Sequence, residues 1–228
     1  MKIDICTTAT LRHIILEETL KSFTDKMLTD KDRYRLIINI DPIGDKLKRR
    51  NAVLQIARKY FNDVVYNFPE VPGFTKAVQW CWSKTQAEYV FHLEDDWRLL
   101  IPVSIDSMID MMKQYNLTSL RLNKDNLHQS KSSVKYGFTP FPKISLNPTL
   151  FNGDFLRRVS PLMDLTHNPE KQLRPTKSEL GKIISPTNHG IYQKDTTKRI
   201  VLDIGRKWME SSRYKKKTGF MNWEVKTK

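Results

Sequence analysis

Three consecutive carboxylates, Glu94, Asp95 and Asp96, follow an apolar run at residues 89–93. Adjacent negative charges repel one another, so this acidic triplet would be costly in a folded protein without a compensating cation. A hard divalent ion such as Mn2+ or Mg2+ prefers oxygen ligands and would supply that compensation. Successive strand residues point to opposite faces, which predicts that Glu94 and Asp96 share one face and Asp95 takes the other. The alternative is an exposed acidic turn or a helix N-terminus.

The elements that must position the triplet follow from apolar periodicity. Strand patterns occur at residues 2–7, 34–40, 64–66 and 89–93. Apolar residues at helical spacing separate these runs, and Thr10 is the expected N-cap of the first helix. Four strands alternating with three helices predict right-handed βαβ units and a largely parallel central sheet flanked by helices.

Ligands of such α/β sheets bind at the carboxyl ends of the strands. The first strand ends near Thr7 and Thr8, and the second ends at Asp41. We therefore expect these side chains to lie on the same edge of the sheet as the acidic triplet.

The second half of the chain is richer in loop signals and predicts a smaller, mixed region. A helix is expected after Pro102, loops and short strands over the Ser-, Lys-, Asn- and Pro-rich residues 123–148, and a loop around one helical turn over 167–183. Further predicted elements are strands at 117–122, 189–192 and 199–204 and a short helix at 150–159. We interpret 1–228 as one domain with a first half (1–100), a second half (101–193) and a basic segment (194–228).

Positive charge is concentrated in the last 35 residues. The chain carries 39 Lys and Arg against 25 Asp and Glu, a net charge of +14. Residues 194–228 hold 11 of these basic residues and four acidic ones, which is half of the excess. Aromatic residues alternate there with Arg213, Lys215, Lys216 and Lys217, a mixture typical of nucleic-acid surfaces and of membrane-surface attachment. A solvated basic tail is the alternative.

Several classes of protein are excluded by composition. No apolar run approaches the ~20 residues that a membrane span needs, and no secretory signal is recognisable. Cys6 and Cys81 are the only cysteines, which rules out a disulfide scaffold and a cysteine-built zinc site. The expected location is the cytoplasm, or the host cytoplasm for a viral protein.

The layout resembles the GT-A type of nucleotide-sugar glycosyltransferase, near the family-2-like group, and also that of a phage-type DNA-modifying glycosyltransferase. The resemblance is best over residues 1–100, and it implies that 1–100 is the nucleotide-sugar-binding half and 101–193 the acceptor-side half. It implies that Thr7, Thr8 and Asp41 contact the nucleotide. It also implies that the triplet, which departs from strict Asp-x-Asp, takes the place of the metal-binding motif. Asp96 is then the main metal ligand, Glu94 is a further candidate metal ligand and Asp95 is a candidate donor-binding residue.

The resemblance implies further donor-side residues late in the chain. Asp203 stands where several such enzymes place a late metal ligand, and a carboxylate is a sound substitute there for a hard metal. Arg206 and Lys207 would then face the diphosphate, whose oxygens guanidinium and ammonium groups neutralise. A strand end followed by a solvated basic helix is the alternative.

An inverting transferase needs a carboxylate base near the anomeric carbon. Glu170, which follows Pro169, resembles the family's catalytic residue in position, and Asp154 is the competitor. Both are also good first-turn residues of a helix, which is the structural alternative.

The sequence therefore predicts a metal-dependent glycosyltransferase that binds a nucleotide-sugar donor. The basic segment points to DNA as the acceptor, through a hydroxymethylated pyrimidine. A cell-envelope glycan or lipid-linked sugar is the second acceptor class. A nucleotidyltransferase and a nucleic-acid-binding protein without catalysis are the remaining alternatives.

Overall fold

The computed structural model describes residues 1–44, 49–125, 136–193, 198–211, 214–216 and 223–225. The described strands are β1 (Ile3–Ala9), β2 (Tyr34–Ile40), β3 (Asp63–Asn67), β4 (Tyr89–Glu94), β5 (Trp97–Leu99), β6 (Ser119–Leu122), β7 (Phe138–Pro140), β8 (Thr149–Asn152), β9 (His189–Tyr192), β10 (Val201–Asp203), β11 (Tyr214–Lys216) and β12 (Trp223–Val225).

The described helices alternate with the strands in the first half, as the periodicity predicts. They are α1 (His13–Lys26), α2 (Arg49–Tyr60), α3 (Phe74–Ser83), α4 (Ile105–Gln114), α5 (Gly153–Val159), α6 (Pro169–Gln172), α7 (Glu179–Ile184) and α8 (Gly205–Ser211). None of them combines the length and the apolar character that crossing a bilayer requires.

Eight strands form one sheet in the order β3-β2-β1-β4-β8-β6-β9-β7. Strands β1 to β4 are mutually parallel, and β9 runs parallel to β6. Strand β8 is antiparallel to both of its neighbours, and β7 is antiparallel to β9. The predicted α/β class with a mostly parallel central sheet is confirmed. The short strands β5 and β10 pair beside it.

Period-two alternation divides the apolar core between the two faces of the sheet. On β4, Phe91 and Leu93 join the core beneath α1 and α4, whereas Val90 joins the core beneath α3 and α5. Both faces are covered, which is why these strands are apolar throughout instead of alternating with polar residues.

The predicted helix at 150–159 is wrong in its first three residues. Leu150 and Phe151 belong to β8 and pack into opposite cores. In a short run of consecutive apolar residues, periodicity does not distinguish a buried strand from a helix. The helix α5 starts only at Gly153, where the Asn152 side chain caps it by accepting from the Phe155 amide at 3.0 Å.

His92 lies in the middle of β4 with no solvent exposure, and this makes the fold sensitive to acid. Its Nδ1 accepts from Trp82 Nε1 at 3.3 Å. Burial lowers the pKa of His92 from 6.5 to about 3. The unfolded chain therefore takes up a proton at higher pH than the folded chain does. The His92 contribution to stability is present above pH 6.5 and is lost as pH falls towards 3.

We expect the free energy of unfolding to fall by up to about 2 kcal/mol more in wild type than in His92→Gln between pH 6.5 and pH 5. Glutamine keeps an acceptor for the Trp82 indole and has no proton to take up. Urea unfolding of both proteins at the two pH values measures the free energies. All other titrating groups are common to both proteins, so the difference between their pH dependences reports on His92. The exposed His167 provides the control variant, His167→Gln. Equal pH dependence in His92→Gln and wild type would contradict a neutral buried His92.

Candidate functional site

The strand order gathers the carboxyl ends of β1, β2 and β4 at one edge of the sheet. Thr8 pairs with Glu94 across β1 and β4. The Asp41 amide donates to the Ala9 carbonyl at 2.8 Å, and the Asp95 amide donates to the Thr8 carbonyl at 3.1 Å. The donor-side residues expected from the first two strands therefore surround the acidic triplet.

Asp95 is buried, and an arginine neutralises it. Arg12 Nη2 forms an ion pair with Asp95 Oδ1, and both side chains are less than 5% exposed. Asp95 Oδ2 accepts from the Thr10 amide at 2.9 Å, from Thr10 Oγ1 at 3.2 Å and from Arg12 Nε at 3.3 Å. The compensating charge for this carboxylate is therefore part of the chain, and both of its oxygens are occupied.

The predicted N-cap at Thr10 is wrong. Helix α1 begins at His13, and the residue at its N-cap position, Arg12, makes no side-chain capping hydrogen bond. Thr10 and Arg12 instead turn towards Asp95, and Thr19 of α1 donates from Oγ1 to the Asp95 carbonyl at 2.8 Å. A hydrogen bond to a buried carboxylate stabilises the fold more than a hydrogen bond to a solvent-exposed helix end does.

Arg12 also reaches Asp96, which is less buried than Asp95. Arg12 Nη2 lies 3.2 Å from Asp96 Oδ2, and the Asp96 side chain is 20% exposed. Burial by itself lowers the pKa of Arg12, but Asp95 and Asp96 outweigh it and raise that pKa above its usual value. Strand β4 ends at Glu94, and Asp95 and Asp96 form the turn that follows. Arg12 therefore contacts both carboxylates of that turn.

A glycine makes room for Asp96. A Cβ placed on Gly205 would lie 2.2 Å from Asp96 Oδ2 and 2.8 Å from Asp96 Cβ. The backbone beside it is fixed, because the Ile204 amide donates to the Asp96 carbonyl at 2.8 Å. The start of α8 therefore packs directly against this carboxylate.

Gly205→Ala is expected to displace the Asp96 carboxylate, and the overpacking is expected to cost about 1–3 kcal/mol of stability. Urea unfolding measures this cost. Gly73→Ala is the matched control, since a Cβ there would meet only the flexible Lys76 side chain, at 3.3 Å or more. Wild-type stability in Gly205→Ala would contradict this packing role.

Asp203 and Trp97 flank the triplet on the small sheet. They are register partners across β10 and β5. Trp97 is buried and its Nε1 donates to Glu94 Oε2 at 3.3 Å. Asp203 accepts from the Gly205 amide at 3.0 Å and from Arg206 Nε at 3.2 Å. Both carboxylate oxygens of Asp203 are therefore engaged, which does not favour it as a metal ligand in this arrangement.

No group of three or more His, Cys, Asp or Glu side chains that could hold a metal ion occurs within the described ranges. Mg2+, however, is commonly held by only one or two carboxylates together with substrate phosphates and water. Asp96 and Glu94 offer hard oxygen donors of that kind at the carboxyl end of β4. The residues present fit a cation shared with a bound diphosphate and do not form a closed protein cage.

Asp41 is buried at the end of β2 and held by neutral donors. Its Oδ1 accepts from Asn39 Nδ2 at 2.8 Å and its Oδ2 from the Gly73 amide at 3.0 Å. Burial raises the pKa of Asp41 to about 6, and these two hydrogen bonds offset only part of that effect. Asp41 is therefore positioned rigidly, with a charge that titrates close to neutral pH.

The two candidate bases, Glu170 and Asp154, lie near opposite ends of the strands β4 and β8. Glu170, in the first turn of α6, accepts through Oε1 from the Leu146 amide at 2.7 Å and from Ser145 Oγ at 3.1 Å. Those residues lead into Thr149 of β8, the register partner of His92, near the carboxyl end of β4.

Asp154 follows the other end of β8. The last residue of that strand, Asn152, pairs with Tyr89 at the start of β4. Asp154 instead lines a cleft with Arg158, Glu179 and other residues at that opposite end of the strands. The structure does not bring Asp154 near the triplet, because β8 runs antiparallel to β4, and this argues against Asp154 as the base.

The remaining predicted site residues differ in exposure and in how much of each the structure describes. The Thr7 side chain is buried, and its Oγ1 has no hydrogen-bond partner among the described residues. Arg206 is mostly exposed and contacts Asp203. For Lys207, Lys215 and Lys216 only the backbone in α8 and β11 is described. Arg213 and Lys217 lie outside the described residues.

Sequence reasoning missed Arg12, the residue that organises the triplet. Its guanidinium carbon lies 4.9 Å from the centroid of the Trp208 ring, which joins it to α8. The signal was a lone arginine two residues after the polar turn that ends β1, on the edge where three carboxylates also end.

Comparisons with known proteins agree on the architecture. No protein-family model and no curated protein sequence matches the chain. Among solved structures, TarS of S. aureus matches with a TM-score of 0.57 and 13% identity over 92% of this chain and 38% of TarS. TarS 1–349 in complex with UDP matches with a TM-score of 0.56 and 12% identity over 89% of this chain and 60% of the other.

A mannosyltransferase, PcManGT from Pyrobaculum calidifontis in complex with GDP-Man and Mn2+, has a TM-score of 0.58 and 11% identity over 89% of this chain and 56% of its own. The chain spans less than two thirds of the length of each of these structures. At such low identity the likeness concerns the fold alone, and by that fold the chain has the mixed α/β architecture of the GT-A glycosyltransferases.

Proposed function

We propose that the chain is a glycosyltransferase that moves a sugar from a nucleotide-sugar donor to a hydroxyl acceptor. The observation that carries the proposal is the acidic triplet, held by Arg12 at the carboxyl end of β4 close to Asp41. Open α/β sheets receive their ligands at this edge. Structures of similar fold hold UDP, UDP-GlcNAc, or GDP-Man with Mn2+, and those ligands are the donor class proposed here.

Asp96 is the proposed ligand of a divalent cation, Mn2+ or Mg2+, with Glu94 as the second carboxylate. Asp95 is assigned to positioning, since the Arg12 pair and Thr10 occupy both of its oxygens. A cation bound there would neutralise the charge that develops on the leaving diphosphate. Thr7, Thr8 and Asp41 are proposed to contact the nucleotide, with Arg206 and Lys207 towards the phosphates.

Glu170 is the proposed general base. Its hydrogen bonds from Ser145 and Leu146 both go to Oε1, and they fix the carboxylate while Oε2 takes the proton. The acceptor oxygen attacks the anomeric carbon as its proton passes to Glu170. The electron pair of the breaking carbon–oxygen bond leaves with the nucleoside diphosphate. A single displacement of this kind inverts the anomeric configuration.

The acceptor is proposed from charge. A hydroxymethylated pyrimidine in DNA suits the excess of positive charge in residues 194–228, and we retain DNA as one acceptor class. A cell-envelope glycan or lipid-linked sugar is the equal alternative, because the same residues would bind an anionic lipid surface.

Donor hydrolysis is the test of the proposed function. The protein is incubated with UDP- and GDP-sugars and Mn2+, and release of the nucleoside diphosphate is followed. Slow hydrolysis of one donor is expected, and complete absence of both binding and hydrolysis across the donors would reject the proposal. Salt-dependent retention on DNA would favour a DNA acceptor, and binding to anionic liposomes would favour an envelope acceptor.

A further inference from the structure

Arg121 is a buried cation in the acceptor-side half of the sheet. It lies on β6 and is 9% exposed. Its register partner on β8 is Thr149, which also pairs with His92 on β4. Partners share a face, so Arg121 lies on the face of the sheet that carries Phe151 and that packs against Trp82 of α3, near the carboxyl ends of β4 and β6.

Among the described residues, Arg121 forms no ion pair of the kind that Arg12 and Arg35 form. Arg12 is bonded to Asp95, and Arg35 donates to Asp4 at 2.8 and 2.9 Å. Within the described part of the chain, Arg121 Nε is buried without a hydrogen-bond acceptor. An unmatched buried charge is expensive, and a chain retains one where a ligand supplies the missing partner.

The surroundings of Arg121 orient the guanidinium without neutralising it. Its guanidinium carbon stacks 4.2 Å from the centroid of the Phe141 ring. Burial lowers the pKa of Arg121, and the attraction of Asp125 and Glu170 offsets this only in part. A planar guanidinium stacked on an aromatic ring keeps its edge nitrogens available for the paired oxygens of a phosphate or carboxylate.

Arg121 is also close to the proposed base. Glu170 interacts electrostatically with it and is bonded to Ser145 and Leu146, in the segment that leads from Phe141 to β8. An anionic group that approached Arg121 would therefore lie in the neighbourhood of the carboxylate that accepts the hydroxyl proton.

We propose that Arg121 binds an oxyanion of the acceptor, so that the acceptor class is an alcohol carrying a phosphate or carboxylate near its reacting hydroxyl. This assignment rests on the proposed function, in which the acceptor is the hydroxyl compound that receives the sugar. The Arg121 guanidinium donates paired hydrogen bonds to the anion, and Glu170 lies beside the hydroxyl. A neutral sugar alcohol lacks the group that satisfies Arg121 and is a poorer acceptor.

The test is calorimetric titration of inorganic phosphate and, separately, acetate into protein saturated with UDP or GDP and Mg2+. The nucleotide keeps the donor site occupied, so the added anion reports on a second site. We expect wild type to bind at least one anion and Arg121→Gln to bind it at least tenfold more weakly. Preference for phosphate or for acetate identifies which oxyanion the acceptor carries.

Arg33→Gln is the matched control, since it removes one positive charge at the opposite end of β2, where Arg33 pairs with Asp106. It is expected to bind the anion like wild type. Arg121→Met, which keeps the length and the apolar stacking, replaces Arg121→Gln if the latter does not fold. Equal anion binding by wild type and the Arg121 variants, or none by nucleotide-saturated wild type, overturns the proposal. Failure to bind UDP and GDP would instead count against the donor assignment.

Discussion

Asp96→Asn is expected to lower kcat/KM for sugar transfer by about 100-fold or more while the protein stays folded. Asparagine is isosteric and its oxygen can still accept from Arg12, which lies 3.2 Å from Asp96 Oδ2. The variant removes the negative charge proposed to hold the cation against the diphosphate. Donor hydrolysis and transfer, measured over a range of Mn2+ concentrations, give the effect.

The control removes a different carboxylate that pairs with an arginine. Asp106→Asn breaks the exposed pair with Arg33, far from the triplet, and is expected to leave turnover unchanged. Undiminished activity in Asp96→Asn would reject the metal assignment. A loss of activity whose Mn2+ dependence is shifted to higher Mn2+ concentration than in wild type, together with wild-type thermal unfolding, agrees with it.

Asp95→Asn should behave differently from its neighbour. It removes the charge that pairs with Arg12 in a buried setting and leaves the guanidinium matched only by Asp96. Breaking a buried pair by removing one partner typically costs about 3–5 kcal/mol. We therefore expect a marked loss of stability in urea unfolding. A stable Asp95→Asn protein that has lost only catalysis would contradict the positioning role given to this residue.

Glu170→Gln is expected to lose about 100-fold to 10,000-fold in transfer rate, the usual contribution of a general base, and to keep its donor affinity. The amide oxygen can take over the hydrogen bonds from Ser145 and the Leu146 amide, so the local structure is retained. The amide cannot accept the acceptor proton. Single-turnover transfer and calorimetric donor binding separate the two properties.

Glu179→Gln is the matched control, because Glu179 also occupies the first turn of a short helix but lines the cleft at the opposite edge. Its transfer rate is expected to equal that of wild type. Weak donor binding by Glu170→Gln would move Glu170 to a donor-side role, and unchanged transfer would remove it from the mechanism.

Much of the scaffold could be predicted from local pattern. Strands β2 and β9 occur at the predicted residues, and β4 extends the predicted strand by only one residue, to Glu94. Side-chain periodicity and turn residues are local properties, and in parallel βαβ units they also imply which strand ends meet. The edge that carries Thr8, Asp41 and the triplet was accordingly predicted.

The division of labour within the triplet was decided by tertiary contacts. Asp95 is neutralised by Arg12, 83 residues away in the sequence, and Gly205 makes room for Asp96 from still farther along the chain. The direction of β8 separates Asp154 from Glu170 by placing them at opposite edges of the sheet. Local sequence patterns place the three carboxylates at the end of β4. They do not show which carboxylate is buried against the Arg12 guanidinium and which is more exposed. That depends on ion pairs and packing contacts between segments distant in sequence, which no local pattern encodes.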